Sequence, residues 1–481
     1  MTAGTVARAE EPGFLERTFK LRENATTVGT EVIGGLTTFF VMAYIIALNP
    51  IILNYVGNPN VKDNPGPGFP ETVAMTALAA GVLTIAMGLV ANRPFAMAAG
   101  LGLNAVVAYQ LVLGKPPMPW PQAMGIIFME GAAITILVLT GLREAIMNAI
   151  PLALKRAIGV GIGLFILLIG LVNAGVVVKG GAIPVTLSAL NTGPIITFGI
   201  GLALTVLLFA RGVKAALLLG IIGTTILAGI VHGLVPAYTV STAPNTAVLP
   251  EKWLEAPNFA NAFRGLDFGA FVTIGTLGAI LAVFTIMLSD FFDTMGTVVG
   301  IGGQAGWLDE EGRLSGIKRI LLVDSAGAAF GGLMSASSNT TYIESAAGVS
   351  SGARTGLASV VTGVLFLLAM FVSPVVAVIP PEATAPALVI VGFLMAGIAT
   401  KIDLSSVDEG LPALLTMAVM PFTYSITNGI GAGFVTYAFI KLVRGKASEV
   451  HPLMWVVAIA FVLYFAQAVY APALGIGGYR E

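Results

Sequence analysis

The sequence has no cysteine and only two histidines, His232 and His451, far apart along the chain. Disulfide frameworks, thiolate metal sites and cysteine nucleophiles are therefore excluded, as is an imidazole-rich metal centre. Charge is scarce too: 10% of the 481 residues are Asp, Glu, Lys or Arg, where a soluble domain carries roughly a quarter. The 24 basic residues nearly cancel the 25 acidic ones, leaving a net charge of -1. No basic field exists to hold a phosphate backbone, so nucleic acid is not an expected partner. The glycine series at 159, 161 and 163 and the run GIGGQAG at 300–306 lie outside any βαβ unit and do not form nucleotide-binding loops. Hydrolase and kinase signatures are missing. No enzyme activity, catalytic residue, metal or organic cofactor is expected.

What the chain has instead is apolar length. Hydrophobic residues make up 56% of it and the mean hydropathy is +0.92. Uncharged runs cover 94–114, 157–178, 215–250, 268–289, 355–381, 411–440 and 452–479, each long enough for the roughly 20 residues that cross a bilayer as a helix. The pattern predicts an all-α polytopic membrane protein of about fourteen spans. They fall near 32–53, 72–92, 94–112, 122–141, 152–175, 194–211, 213–234, 268–300, 318–334, 338–352, 354–378, 385–401, a block at 409–443, and 452–470. The first 30 residues are polar and of mixed charge, unlike a cleavable signal peptide, and the N-terminus is expected in the cytoplasm. Arg93, Arg143, Lys155, Arg156, Arg211, Lys214, Lys318, Arg319 and Arg354 fall at loops that an N-in count places inside, as the positive-inside rule requires. The expected location is the cell membrane.

Two segments are poor lipid-facing helices. Residues 94–110 (PFAMAAGLGLNAVVAYQ) and 335–352 (SASSNTTYIESAAGVSSG) are rich in small residues and sit half the chain apart. Matched placement suggests a duplicated architecture with one discontinuous element per half, the arrangement that presents backbone groups to a polar solute near the midplane. Small residues for tight helix packing are the competing explanation.

Ionisable groups within the hydrocarbon cost about 2.5–3.5 kcal/mol each on insertion scales, so each is a functional candidate. Here they are Glu130, Asp290, Asp293, Asp324 and Glu344, with Glu31 and Glu71 near span ends. Asp290 and Asp293 stand three residues apart in SDFFDTMGT, which predicts one shared helical face and a pair suited to carrying a proton. Glu344 in TTYIESAAG can accept parallel N–H bonds from a planar ligand, and the Asn104 amide in AAGLGLNAV offers both donor and acceptor. Glu130 and Asp324 lie in single apolar spans among small residues and suit interhelical hydrogen bonds. Phe95, Phe291, Phe292 and Tyr342 flank these groups and could stack on a ring or simply pack.

Seven blocks carry a resemblance: TTFFVMAYIIALNPIIL (37–53), ANRPFAMAAGLGLNAVVAY (91–109), LKRAIGVGIGLFILLIGLVNAG (154–175), SDFFDTMGTVVG (289–300), AGWLDEEGRL (305–314), NTTYIESAAGVSSGARTGL (339–357) and MPFTYSITNGIGAGF (420–434). Together they resemble the AzgA-type adenine/guanine/hypoxanthine permeases of the nucleobase:cation symporter superfamily. That resemblance implies a uracil-permease-like fold of seven-plus-seven inverted repeats, with short strands and half helices in broken spans 3 and 10. It implies a core domain (31–141 and 268–379), a gate domain (142–237 and 380–481), a cytoplasmic segment 1–30 and an extracytoplasmic loop 238–267. It further implies proton-coupled import of purine bases by alternating access. Asp290, Glu344, Asn104 and Gly102 would contact the base with Phe291 and Tyr342 beside it, and Asp290, Asp293 or Glu344 would carry the proton. Partners would be a purine base and the lipid bilayer, with a homodimer through the gate domain as a further arrangement seen among relatives. Two departures stand out: Ala99-Gly100-Leu101 replaces a Pro-Gly-Met common among relatives, and the span-8 histidine of the uracil branch is missing. The alternatives are an anion exchanger or a xanthine/uracil permease of the same fold, and an intramembrane enzyme, for which no metal-binding acid motif is present.

Overall fold

The computed structural model describes residues 13–56, 58, 61, 64–141, 149–180, 184–234, 247–260, 265–308, 314 and 316–466, without the side chains at 232–234, 292, 299 and 304. Residues 1–12 of the N-terminal segment, Arg143, parts of the 238–267 loop, Glu310 and the side chain of Phe292 lie outside the described residues. Nine helical stretches among the described residues are long and apolar enough to cross a bilayer, and four shorter apolar helices accompany them.

The chain runs through α1 (Phe14–Phe19), α2 (Val28–Met42), α3 (Ile45–Leu53), α4 (Phe69–Ala91), β1 (Met97–Ala99), α5 (Leu101–Ala105) with a π-helical continuation over Val106–Val112, and α6 (Trp120–Thr140). After these come α7 (Leu152–Asn173), the short strands β2 (Val177–Val178) and β3 (Thr186–Leu187), α8 (Gly193–Ala210) and α9 (Ala216–Leu234). The second half holds α10 (Ala270–Thr273), α11 (Gly275–Gln304), α12 (Ile317–Leu333), β4 (Asn339–Thr341), α13 (Ser345–Ser350) and α14 (Gly356–Ala369). It ends with α15 (Ser373–Val376), α16 (Pro381–Ala396), α17 (Gly410–Thr423), α18 (Ile426–Val443) and α19 (Pro452–Phe465).

Local chemistry sets the breaks that matter. Pro50 lies inside α3; it lacks an N–H and its ring crowds the carbonyl four residues back, at Ile46. The first span is also interrupted further upstream, at Ala43–Tyr44. The block 409–443 is a hairpin: α17 carries Pro421 and ends at Tyr424 in the left-handed region (φ 52°), and Ser425 then accepts a hydrogen bond from Asn428 N at 3.1 Å to start α18. The two helices pack back along each other.

Helices pack in two sets. In one, α4 lies along α14 and α12 along α6, with α2, α3, α11 and α13 around them. In the other, α7 lies along α16 and α17, with α8, α9, α18 and α19. Close approaches run through glycine: a Cβ on Gly363 would meet the Gly81 carbonyl at 2.6 Å, and one on Gly392 would meet the Gly163 carbonyl at 2.6 Å. Without a hydrophobic force between helices in lipid, such backbone-to-backbone contact is a main source of association.

The two broken segments meet. β1 pairs antiparallel with β4, Met97 opposite Thr341, Ala98 opposite Thr340 and Ala99 opposite Asn339. Equivalent strands related by a two-fold axis between them run antiparallel, as inverted repeats demand. The helix contacts obey the same relation, since second span on eleventh (α4 on α14) mirrors ninth on fourth (α12 on α6).

Candidate functional site

The two-stranded pairing leaves the helices that follow it, α5 and α13, starting near the centre of the molecule. Between them and the second helix set lies an open-mouthed cavity with about 90 Å³ of internal space. One wall is polar: Tyr44, the Gly100–Leu103 backbone, Ser289, Asp293, Thr297, and Thr341 to Glu344. The opposite wall is Ile162 of α7 with Val391, Leu394 and Met395 of α16. Apolar side chains opposite acceptor groups suit a hydrogen-bonding solute with an apolar face.

Of the residues singled out from the sequence, Gly102, Asp293, Tyr342 and Glu344 line this cavity. Gly102 is there for space: a Cβ would meet Ile162 Cγ2 at 2.6 Å, so only glycine lets α5 lie this close to α7. The Tyr342 hydroxyl donates to the Ala99 carbonyl at 2.5 Å, tying the two broken segments together beyond their strands. Tyr44 donates from its hydroxyl to Glu344 Oε1, also at 2.5 Å.

Asp290, Asn104 and Phe291 are not on the cavity wall. Of the pair Asp290 and Asp293, only Asp293 lines the cavity. Three residues advance a helix by 300°, leaving the two carboxyls about 60° apart, and the edge of the buried face passes between them. The cavity row is Ser289, Asp293 and Thr297 at spacing four. Asp290 belongs to the next row with Thr294, and both are completely buried. Asn104 is likewise buried, and neither atom of its amide has a hydrogen-bond partner among the described residues.

Behind β4 lies a second polar layer. Asp324 Oδ1 accepts from Thr341 N at 2.9 Å and Thr341 Oγ1 at 2.8 Å, while Oδ2 accepts from Thr294 Oγ1 at 2.7 Å. This carboxylate clamps strand, α11 and α12 together. Glu130 Oε2 accepts from Ser338 Oγ at 3.3 Å, and Asp290 is close enough to both acids to feel their charge. Glu31 also has a structural task. Its carboxylate accepts from Arg354 N at 2.8 Å and Thr355 N at 3.2 Å, at the start of α14, where the orphan N–H groups favour an anion. Glu71 accepts from Asn258 Nδ2 at 2.9 Å at the surface. Phe95 is fully buried, edge-on to Trp307.

A separate polar cluster joins the π-helical turn to α11 and α18. There Gln110 Oε1 accepts from Ile426 N at 2.9 Å, its amide nitrogen donates to Thr427 Oγ1, and Thr427 pairs with the Thr285 hydroxyl at 2.9 Å. Tyr424 stands edge-on to both Tyr109 and Phe165, with ring centroids 5.9 and 5.5 Å apart. Thr297, Leu394 and Met395 lie towards the other ends of their helices. That side also holds the basic loop residues: Arg156 donates to the Lys401 carbonyl and Lys214 Nζ to Ser351 Oγ at 2.7 Å.

Residues 29–432 match the permease family of xanthine and uracil permeases. The chain belongs to that family. Its relatives include the guanine/hypoxanthine permease PbuG of Bacillus subtilis, 40% identical over 458 residues, covering 93% of this chain and 98% of the relative. The adenine permease AdeP of Escherichia coli is 37% identical over 451 residues, covering 94% and 96%. Among solved structures the fold is similar to the transmembrane domain of the cyanobacterial bicarbonate transporter BicA, with a TM-score of 0.59, 15% identity and coverage of 84% and 96%. The resemblance read from the seven sequence blocks is thereby shown. This permease is an integral membrane transport protein with the uracil-permease-like fold. Tyr44, Ser289, Thr297 and the apolar wall at 162, 391, 394 and 395 went unnoticed in the sequence. The i, i+4 row 289–293–297 was available to find two of them, whereas the contribution of α16 depends on tertiary packing alone.

Proposed function

We propose that the permease imports purine nucleobases, binding them in the cavity between the two helix sets. The observation that carries this reading is the pair of acids, Asp293 and Glu344, lining one cavity with the apolar side chains of Ile162, Val391, Leu394 and Met395. Purines are flat, and their edges carry N–H donors that a carboxylate accepts. A protonated carboxyl serves the mixed donor and acceptor edge of adenine. The names of the relatives, guanine/hypoxanthine and adenine permeases, support the same substrate class.

In this reading Glu344 and Asp293 hold the base, and the Gly100–Leu103 backbone meets its far edge. Asp293 is the proton carrier exposed to the cavity, with Asp290 as its buried neighbour. The set built on α4, α6, α12 and α14 acts as the core and the set built on α7, α16 and α17 as the gate. Movement of one against the other alternates access. The N-terminus and the basic loops face the cytoplasm. The cavity opens to that side, and the Gln110–Thr427–Thr285 hydrogen bonds form the outer seal. An anion exchanger is disfavoured, since two acids at the cavity wall would repel its substrate.

Uptake of radiolabelled hypoxanthine, guanine, adenine, xanthine and uracil into proteoliposomes, with and without an inward proton gradient, tests this. Accumulation of the first three, driven by the gradient, is the expected result. Accumulation under a sodium gradient alone would replace the coupling ion, and no accumulation of any base would overturn the substrate class.

A further inference from the structure

We propose that Tyr44 is a positioning residue that fixes Glu344 as a single-sided hydrogen-bond acceptor for the base; the inference rests on the purine reading of the cavity. Tyr44 sits at the turn between α2 and α3 and keeps helical backbone angles (φ -57°, ψ -25°). It is buried to 2% exposure and lines the same cavity as Glu344. Its 2.5 Å contact with Glu344 Oε1 falls in the range of a hydroxyl donating to a carboxylate.

The consequence is chemical. A phenol that donates to Oε1 engages that oxygen and stops the carboxyl from swinging, leaving Oε2 to receive a hydrogen bond from the ligand. The wall at this point accepts and does not donate, so a base must present an N–H there. The other phenol nearby cannot substitute, because Tyr342 already donates to Ala99 O.

The test is equilibrium binding of radiolabelled guanine and hypoxanthine to the purified protein, with uptake into proteoliposomes, for wild type, Tyr44→Phe, Glu344→Asp and the double variant. Loss of a hydrogen bond to a charged group should weaken Kd and raise KM about tenfold or more in Tyr44→Phe, with the maximal rate per folded transporter retained. Aspartate withdraws the carboxyl by one methylene from the phenol, so adding Tyr44→Phe to Glu344→Asp should change Kd less than about twofold. Tyr44→Phe binding like wild type, or the full loss recurring when Tyr44→Phe is added to Glu344→Asp, overturns the inference while leaving the purine reading intact. Wild type binding no purine overturns both. A measurement on wild type alone covers a Tyr44→Phe that does not fold. Methylation of hypoxanthine at nitrogens 1, 7 and 9 in turn must abolish competition in at least one case, and full competition by all three rules out a fixed acceptor.

Discussion

The two broken elements, Met97 to Val112 in the first half and Asn339 to Ser350 in the second, share a backbone plan and divide the chemistry between them. Each is a short strand followed by a helix that starts near the cavity, and the strands pair residue for residue. The second element is a polar machine: Asp324 clamps its strand through Thr341, and Glu344 faces the cavity held by Tyr44. The first, where it meets the cavity over 97–103, is built from Met, Ala, Gly and Leu. It contributes backbone and closeness, with Gly102 against Ile162 and no ionisable side chain at the cavity. Duplication supplies a symmetric scaffold, and divergence of side chains then assigns recognition to one copy and fit to the other.

The division can be broken at its strongest point first. Glu344→Ala should lower purine uptake at least 100-fold in vesicles with normal protein content, the scale for losing a charged contact to a buried ligand. Asn104→Ala should cost less than about fivefold, because that amide does not reach the cavity. Equal losses from the two would erase the distinction between the elements. Next in size is Asp324→Asn, which leaves the Thr341 N–H, the Thr341 hydroxyl and the Thr294 hydroxyl competing for one acceptor oxygen. Breaking a buried network of this kind costs about 1–3 kcal/mol, read as a lower midpoint of thermal unfolding in detergent together with weaker base binding. Unchanged stability would mean that β4 is held by its pairing with β1 alone. The smallest effect belongs to the first element: Gly102→Ala adds one methyl against Ile162, at a cost of roughly 1–3 kcal/mol of overpacking. It should slow the maximal rate several-fold while moving KM little, and the companion change Ile162→Ala should restore the rate. A rise in KM with an unchanged rate would transfer recognition to the first element as well.

Much of this was legible in the sequence, for physical reasons. Apolar runs of bilayer length survive any tertiary context, so the all-helical membrane fold followed from them. The two small-residue segments stood out because they are too polar for lipid, and the acids because each is costly there. What could not be read was direction. Spacing three placed Asp290 and Asp293 on a common face, yet the boundary of that face depends on where α6 and α12 pack. Asn104 looked like a ligand group because an amide in an apolar span needs a reason, yet it is buried away from the cavity lining. Tyr44 was hidden in an apolar block, since nothing in TTFFVMAYIIALNP marks one aromatic as facing a carboxylate three hundred residues later.

The pairing of Met97–Ala99 with Asn339–Thr341 also imposes an order of events during synthesis. At about 5–20 residues per second, the ribosome needs roughly 10–50 s after making the first strand to produce its partner. Throughout that interval a bare strand edge, which hydrocarbon cannot tolerate, has to be kept in water, at the lipid headgroups or against the insertion machinery. The newborn first half is therefore a waiting intermediate until the second half arrives.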